Sequence, residues 1–142
     1  MSFKFEKLDI WKMSMDYLDV LYEIAELLPK SEDYNVKSQT LRAGTSICLT
    51  IAEGSTGQTD TEKTRFLGIG LRSLFETVGC QHIVYRRKYL ARNDLLCKAY
   101  RMASDLAPRI TKLRTTLDPD QKWVREERAE YVVEEKCPFE DD

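Results

Sequence analysis

The sequence predicts an all-α protein: an antiparallel up-down-up-down four-helix bundle with a short acidic C-terminal helix or tail. Three observations carry this expectation. Apolar residues recur at steps of three and four through four successive segments, the period of one helix face. Only 6 Gly and 4 Pro occur in 142 residues, which favours long uninterrupted helices over a turn-rich β fold. No alternating strand pattern competes. Short connections make up-down-up-down the simplest arrangement. The division expected is a bundle over residues 1–117 and an acidic extension over 118–142.

The first helix is expected from about Leu8 to Leu28, where Pro29 stops it because proline lacks an N–H and clashes with the preceding turn. It carries two stripes. Leu8, Trp11, Met15, Leu18, Tyr22 and Ala25 form an a/d seam; Ile10, Tyr17, Leu21, Ile24 and Leu28 lie beside it. Two stripes suit a helix that packs inside the bundle and also against another subunit, so Ile10, Tyr17, Leu21 and Ile24 are the candidate oligomer interface. The same pattern also fits a deeply buried helix of a monomer. The second helix is expected from about Val36 to Glu53, with Asn35 as N-cap and Gly54 as a left-handed stop. Its small middle, Ala43-Gly44-Thr45-Ser46, predicts close helix packing.

Thr59-Asp60-Thr61-Glu62 reads as a capping box opening a third helix that runs to about Leu90. Its expected core is Phe66, Ile69 or Gly70, Leu74, Val78, Gln81 and Tyr85. Asn93 caps a fourth helix carrying Leu96, Ala99, Ala103, Leu106, Ile110, Leu113 and Leu117. Asp118-Pro119-Asp120-Gln121 is a helix-start signal for a short helix to about Glu135, anchored by Trp123 and Val124. Cys137 to Asp142 is expected to be extended or disordered.

Composition narrows the function classes. With 42% apolar and 32% charged residues the chain is globular. No run of about 18 apolar residues is present, and Met1 to Lys7 lacks the apolar run and cleavage site of a signal peptide, so the expected address is cytoplasmic and no membrane partner is expected. Cys48, Cys80, Cys97 and Cys137 form no C-x-x-C pair, and His82 is the single histidine. Neither a metal nor another cofactor is expected. Cys48, Cys80 and Cys97 fall on apolar faces and read as reduced core thiols, without disulfides. Phosphate-binding glycine loops, G-x-S-x-G and H-E-x-x-H are all absent, and His82 has no placed nucleophile beside it. The expectation is no catalytic residue, no small-molecule substrate and no enzyme.

The net charge of −2 hides an asymmetry. Residues 1–117 carry 18 Lys and Arg against 14 Asp and Glu, a net +4; residues 118–142 carry 4 against 10, a net −6. Nine cations lie between Arg86 and Leu117, Arg109, Lys112 and Arg114 among them, against Asp94 and Asp105. Arg86, Arg87, Lys88, Arg92, Lys98 and Arg101 are the candidate nucleic-acid-binding residues, with Tyr85, Tyr89 and Tyr100 placed to stack on bases. The alternative is a solvated basic face favoured by the helix dipole. The acidic tail is suited to cover this patch in cis. A second constellation is the polar seam Gln39, Arg42, Ser46, Thr50 and Glu53, stepping by three and four along the second helix. It reads as packing specificity, a partner site or the lining of an oligomer channel, with Arg42 expected to pair with a carboxylate such as Glu76.

Several motifs carry a family resemblance. They are Phe5-x-x-Leu8-x-x-Trp11, Pro29, Tyr34, Gln39-x-x-Arg42-Ala43-x-x-Ser46-Ile47, Ile51-Ala52-Glu53-Gly54, Arg65-Phe66-Leu67-x-Ile69 and Ser73-Leu74-x-Glu76. Over residues 5–117 the chain resembles the four-helix-bundle proteins encoded in intervening sequences of bacterial 23S ribosomal RNA genes. Where that family has Ser-Ile-Pro-x-Asn-Ile-Ala-Glu-Gly, this chain has Ser46-Ile47-Cys48-Leu49-Thr50-Ile51-Ala52-Glu53-Gly54; where it has Gly-Ser-Leu, this chain has Arg72-Ser73-Leu74. The resemblance implies the bundle fold and a ring-like homopentamer. The same fold is similar to the accessory variability determinant of diversity-generating retroelements, a basic pentamer that binds RNA and reverse transcriptase. The resulting expectation is a non-enzymatic oligomeric scaffold associated with RNA or ribonucleoprotein. The alternative is a protein-binding adaptor that uses the seam or the tail.

Overall fold

A computed structural model of the chain describes residues 1–57, 59–120 and 136–140. They form α1 (Asp9–Leu27), α2 (Val36–Ser55), α3 (Asp60–Arg86) and α4 (Asp94–Leu117), with 3-10 turns at Lys4–Lys7 and Lys30–Glu32 and no strand among the described residues. Each helix packs on two neighbours: α1 on α2 and α4, and α3 on α2 and α4. The directions follow from side-chain register. Ser73 donates to Ser46 at 2.9 Å, Gly70 faces Thr50 and Gly54 faces Phe66, so α3 numbers fall as α2 numbers rise. The turn after Arg86 sends α4 back along α3, where Arg114 reaches Thr64. The antiparallel four-helix bundle expected from periodicity is the fold.

The helix ends show which local signals act. Thr59 Oγ1 accepts the Glu62 N–H at 3.1 Å, opening α3 as expected. Asn35 occupies the N-cap position of α2, but its side chain does not cap. Glu32, one turn earlier, accepts from the Val36 N–H and from Asn35 Nδ2. Gly54 is not a left-handed stop: α2 continues to Ser55, and no described glycine has a positive φ. Gly54 is instead small because Phe66 lies against it; an added Cβ would sit 3.3 Å from Phe66 Cβ. The proposed short helix up to Glu135, including Trp123 and Val124, lies outside the described residues.

The largest correction falls on α1. Ile10, Tyr17, Leu21 and Ile24, assigned from sequence to an oligomer interface, are only 9, 1, 0 and 1% exposed and belong to the core of the subunit. Val20 on one flank, and Ser14 and Ala25 on the other, are buried too, so the core-facing direction of α1 runs through this stripe. The neighbouring stripe is the outer one, with Met15 and Tyr22 exposed. On α3 the buried set is likewise rotated from expectation. Leu67, Gly70, Leu71, Leu74 and Gln81 are buried, Phe66, Val78 and Tyr85 are half-buried, and Ile69 is exposed. Helix 4 buries Leu96, Ala99, Ala103, Leu106 and Ile110 as predicted.

A polar network crosses this core. Thr77 Oγ1 donates to the Leu74 carbonyl at 2.6 Å, so the 2.8 Å contact with Tyr17 is donated by the Tyr17 hydroxyl. Gln81 Nε2 in turn donates to the Tyr17 oxygen at 2.7 Å, leaving Gln81 Oε1 buried without a partner. Burial pushes the Tyr17 phenol well above its usual pKa, against the opposing pull of the Thr77 and Gln81 hydrogen bonds. The network links α1 to α3 across the bundle diagonal and fixes their register.

Close helix approach is clearest at Gly70. A Cβ there would stand 2.7 Å from Thr50 Oγ1, which is itself held by bonds to the Ser46 and Ile47 carbonyls. Overpacking costs about 1–3 kcal/mol. The better helix propensity of alanine offsets at most about 1 kcal/mol of that. Thermal unfolding should therefore show Gly70→Ala to be net destabilising. Gly79→Ala, with nothing within 4 Å of the added Cβ, should stabilise by up to about 1 kcal/mol.

Candidate nucleic-acid interface

The candidate cations concentrate where α3 turns into α4. The turn is a Schellman motif: the Lys88 N–H bonds the Tyr85 carbonyl at 3.0 Å and the Tyr89 N–H bonds the Val84 carbonyl at 3.3 Å. Such a motif needs a left-handed residue, and Lys88 fills that place with φ 57°. Glycine is the low-cost choice there. This chain instead places a third consecutive cation after Arg86 and Arg87, all three exposed. The negative end of the helix dipole favours their charge. Tyr89 donates its hydroxyl to Glu32 and so ties the turn to the α1–α2 connection. That bond, first among several, holds the Glu32 carboxyl below its usual pKa.

The remaining candidates are also exposed but differ in their partners. Arg92 is paired with Asp94 at 3.0 Å and Arg101 with Glu140 at 2.8 Å, and Lys98 stands on α4 one turn before Arg101. Arg114, counted in the basic stretch, is not part of this surface. It is buried, donates Nε–H to the Thr64 carbonyl at 2.9 Å, and lies so close to Gly68 that an added Cβ would meet its guanidinium at 2.7 Å. It clasps α3 to α4.

The C-terminal segment overturns two expectations. Of the segment expected to be extended or disordered, residues 137–140 instead form a turn, with Cys137 and Phe139 buried against the bundle. Cys97 is not a reduced thiol: it forms a disulfide with Cys137 across a Cα–Cα distance of 5.5 Å, within the range that such a bond spans. The Phe139 ring packs against His82 at 4.9 Å, Tyr85 at 5.1 Å and Tyr100 at 5.8 Å between centroids. Glu140 accepts from Arg101 at 2.8 Å. Of the candidate cations, Glu140 thus meets Arg101 alone; Arg86, Arg87, Lys88 and Lys98 remain exposed. The involvement of His82, Cys137 and Phe139 was missed from sequence. The available signal was a buried-type pair, Cys and Phe, set within an otherwise acidic stretch.

Cys48 and Cys80 remain free and buried, as expected, and burial raises both thiols above the ordinary value. Thiol counting should therefore find little native reactivity at neutral pH, two thiols in denaturant without reductant, and four after reduction.

The polar seam of α2 divides. Gln39, Arg42 and Glu53 are exposed; Thr50 is buried and bonded to its own helix; Ser46 accepts from Ser73. Arg42 forms no ion pair with Glu76 and, being exposed, does not require one. The seam is thus part packing contact and part solvent-facing strip, which also carries exposed Leu49. The N-terminal motif has a simple physical basis: the Phe5 ring packs edge-on against Trp11 at 5.2 Å, holding the Lys4–Lys7 turn against α1.

Fold and surface together define a small four-helix-bundle protein with a cation-bearing turn at one end. The chain belongs to the 23S rRNA-intervening sequence protein family, whose model matches residues 6–112. That span covers all four helices nearly to the end of α4 and leaves the acidic extension outside. No curated protein matches the chain. No helix among the described residues is long and apolar enough to cross a membrane.

Proposed function

We propose that this chain is a non-enzymatic, homo-oligomeric helical scaffold that associates with RNA through the end of the bundle formed by α3 and α4. The observation that carries the reading is the exposed row Arg86, Arg87 and Lys88 on a turn that accepts a left-handed lysine, with Lys98 and Arg101 on the adjoining helix. Closely spaced cations release counterions from a phosphate backbone, and nearby tyrosines supply faces on which bases stack. The resemblance to the retroelement accessory determinant supports the same reading and a ring of five. Met15 and Tyr22 on α1, in place of the buried stripe, are among the exposed apolar side chains open to a second copy.

The test is titration of single-stranded RNA and DNA with the full chain at low salt, followed by fluorescence anisotropy. Binding that weakens with salt supports the reading, and no binding to either nucleic acid overturns its RNA half. Light scattering tests the other half. A mass several times 16.6 kDa supports the scaffold, and a monomer removes it. A protein-binding adaptor is the second reading, favoured by exposed Leu49 between Arg42 and Glu53 on the outer face of α2. Recovery of a protein partner lost on Leu49→Asp, without nucleic acid, would select it.

A further inference from the structure

We propose that the Cys97–Cys137 disulfide is a reducible latch holding Phe139 and Glu140 in a single-stranded RNA site made by His82, Tyr85, Tyr100 and Arg101. The inference rests on the RNA-association reading and gives that same surface a second, covered half. Phe139 is an aromatic ring lodged among three others, and Glu140 is an anion on a guanidinium. A nucleotide presents the same pair of features, a flat ring and a neighbouring negative charge. The surrounding charge extends the likeness beyond one residue. Arg86 lies one turn after His82, and Lys98 one turn before Arg101, so each helix adds a cation on the side of the covered rings nearer the α3–α4 turn. A polyanion carrying bases can run from the rings onto these cations; the Phe-Glu segment pairs with Arg101 alone.

The latch chemistry is ordinary thiol–disulfide exchange. A dithiol reductant attacks one sulfur of the pair and forms a mixed disulfide. Its second thiol then resolves this, leaving Cys97 and Cys137 as thiols and the reductant as its own disulfide. Two electrons and two protons pass from reductant to protein. A surface pocket lined by Arg92, Asn93, Asp94, Cys97, Phe139 and Glu140 gives a reductant its approach. Once the bond is open, Phe139 keeps its ring contacts and Glu140 its pair with Arg101, which is exposed and therefore weak. Reducing surroundings would favour the open form, and oxidising ones the closed form.

The test compares oxidised full-length chain, dithiol-reduced chain and two variants, Cys137→Ser and Cys137→Ser/Phe139→Ala, in their affinity for a short oligouridylate at low salt. The reduced chain and both variants should bind about tenfold tighter than the oxidised chain, the size of gaining one stacked base. Adding Tyr100→Ala to Cys137→Ser should remove the gain. Equal affinity in the oxidised, reduced and variant chains would overturn the latch while leaving RNA association standing. Absence of oligouridylate binding in every form would overturn both. An opened chain that captures a synthetic peptide of residues 134–142 but not the oligouridylate would make the groove a peptide site and overturn the inference as well.

Discussion

Replacing Leu21 with alanine should lower the free energy of unfolding by about 2–5 kcal/mol, measured by urea or thermal denaturation. Leu21 is fully buried, and Gly44 of α2 lies so near that an added Cβ there would come within 2.7 Å of Leu21 Cδ1. A site this closely walled by backbone has little freedom to collapse around a cavity, which places the cost within the range for a core leucine. Tyr22→Ala, one residue on but exposed, should change the subunit's stability by no more than about 0.5 kcal/mol. The pair separates the two roles that the sequence left entangled on α1. Unchanged unfolding of Leu21→Ala together with a loss of oligomer mass would return that stripe to an interface.

Removing the three cations at the turn, as Arg86→Ala/Arg87→Ala/Lys88→Ala, should weaken single-stranded RNA binding on the order of a hundredfold at 0.1 M salt. Each phosphate contact contributes about 0.7 to the slope of log affinity against log salt, so three contacts are worth about two decades at that concentration. The slope itself should flatten by about 2. Arg109→Ala/Lys112→Ala removes exposed cations further along α4, beyond the turn and the covered rings, and should leave binding nearly unchanged. Arg92 is excluded from the triple because Asp94 already neutralises it.

The fold was legible because helix periodicity and the Thr59 cap are local properties of the chain. Which stripe of α1 faces inward was not, since two adjacent apolar stripes look alike until α2 and α4 are placed. Gly54 misled for the same reason: a glycine near a helix end suits a left-handed stop, yet here it makes room for Phe66 from another helix. The cations of the candidate site could be read directly, because exposed charge clustered in sequence stays clustered on a turn. Arg114 was the exception, buried by a partner fifty residues away. The covering segment depends on a disulfide and ring contacts between residues roughly forty to sixty apart, and no local pattern encodes them. The hints were the excess of acidic charge after Leu117 and, within it, the apolar pair Cys137 and Phe139.

On the proposed reading, the α3–α4 end of the bundle is a phosphate-binding surface. A salt series of single-stranded RNA affinity, measured with reduced full-length chain, decides this. Arg86, Arg87 and Lys88 alone predict a log–log slope of about −2, and Lys98 and Arg101 make it steeper. A slope near zero, or no binding at the lowest salt, would contradict the claim.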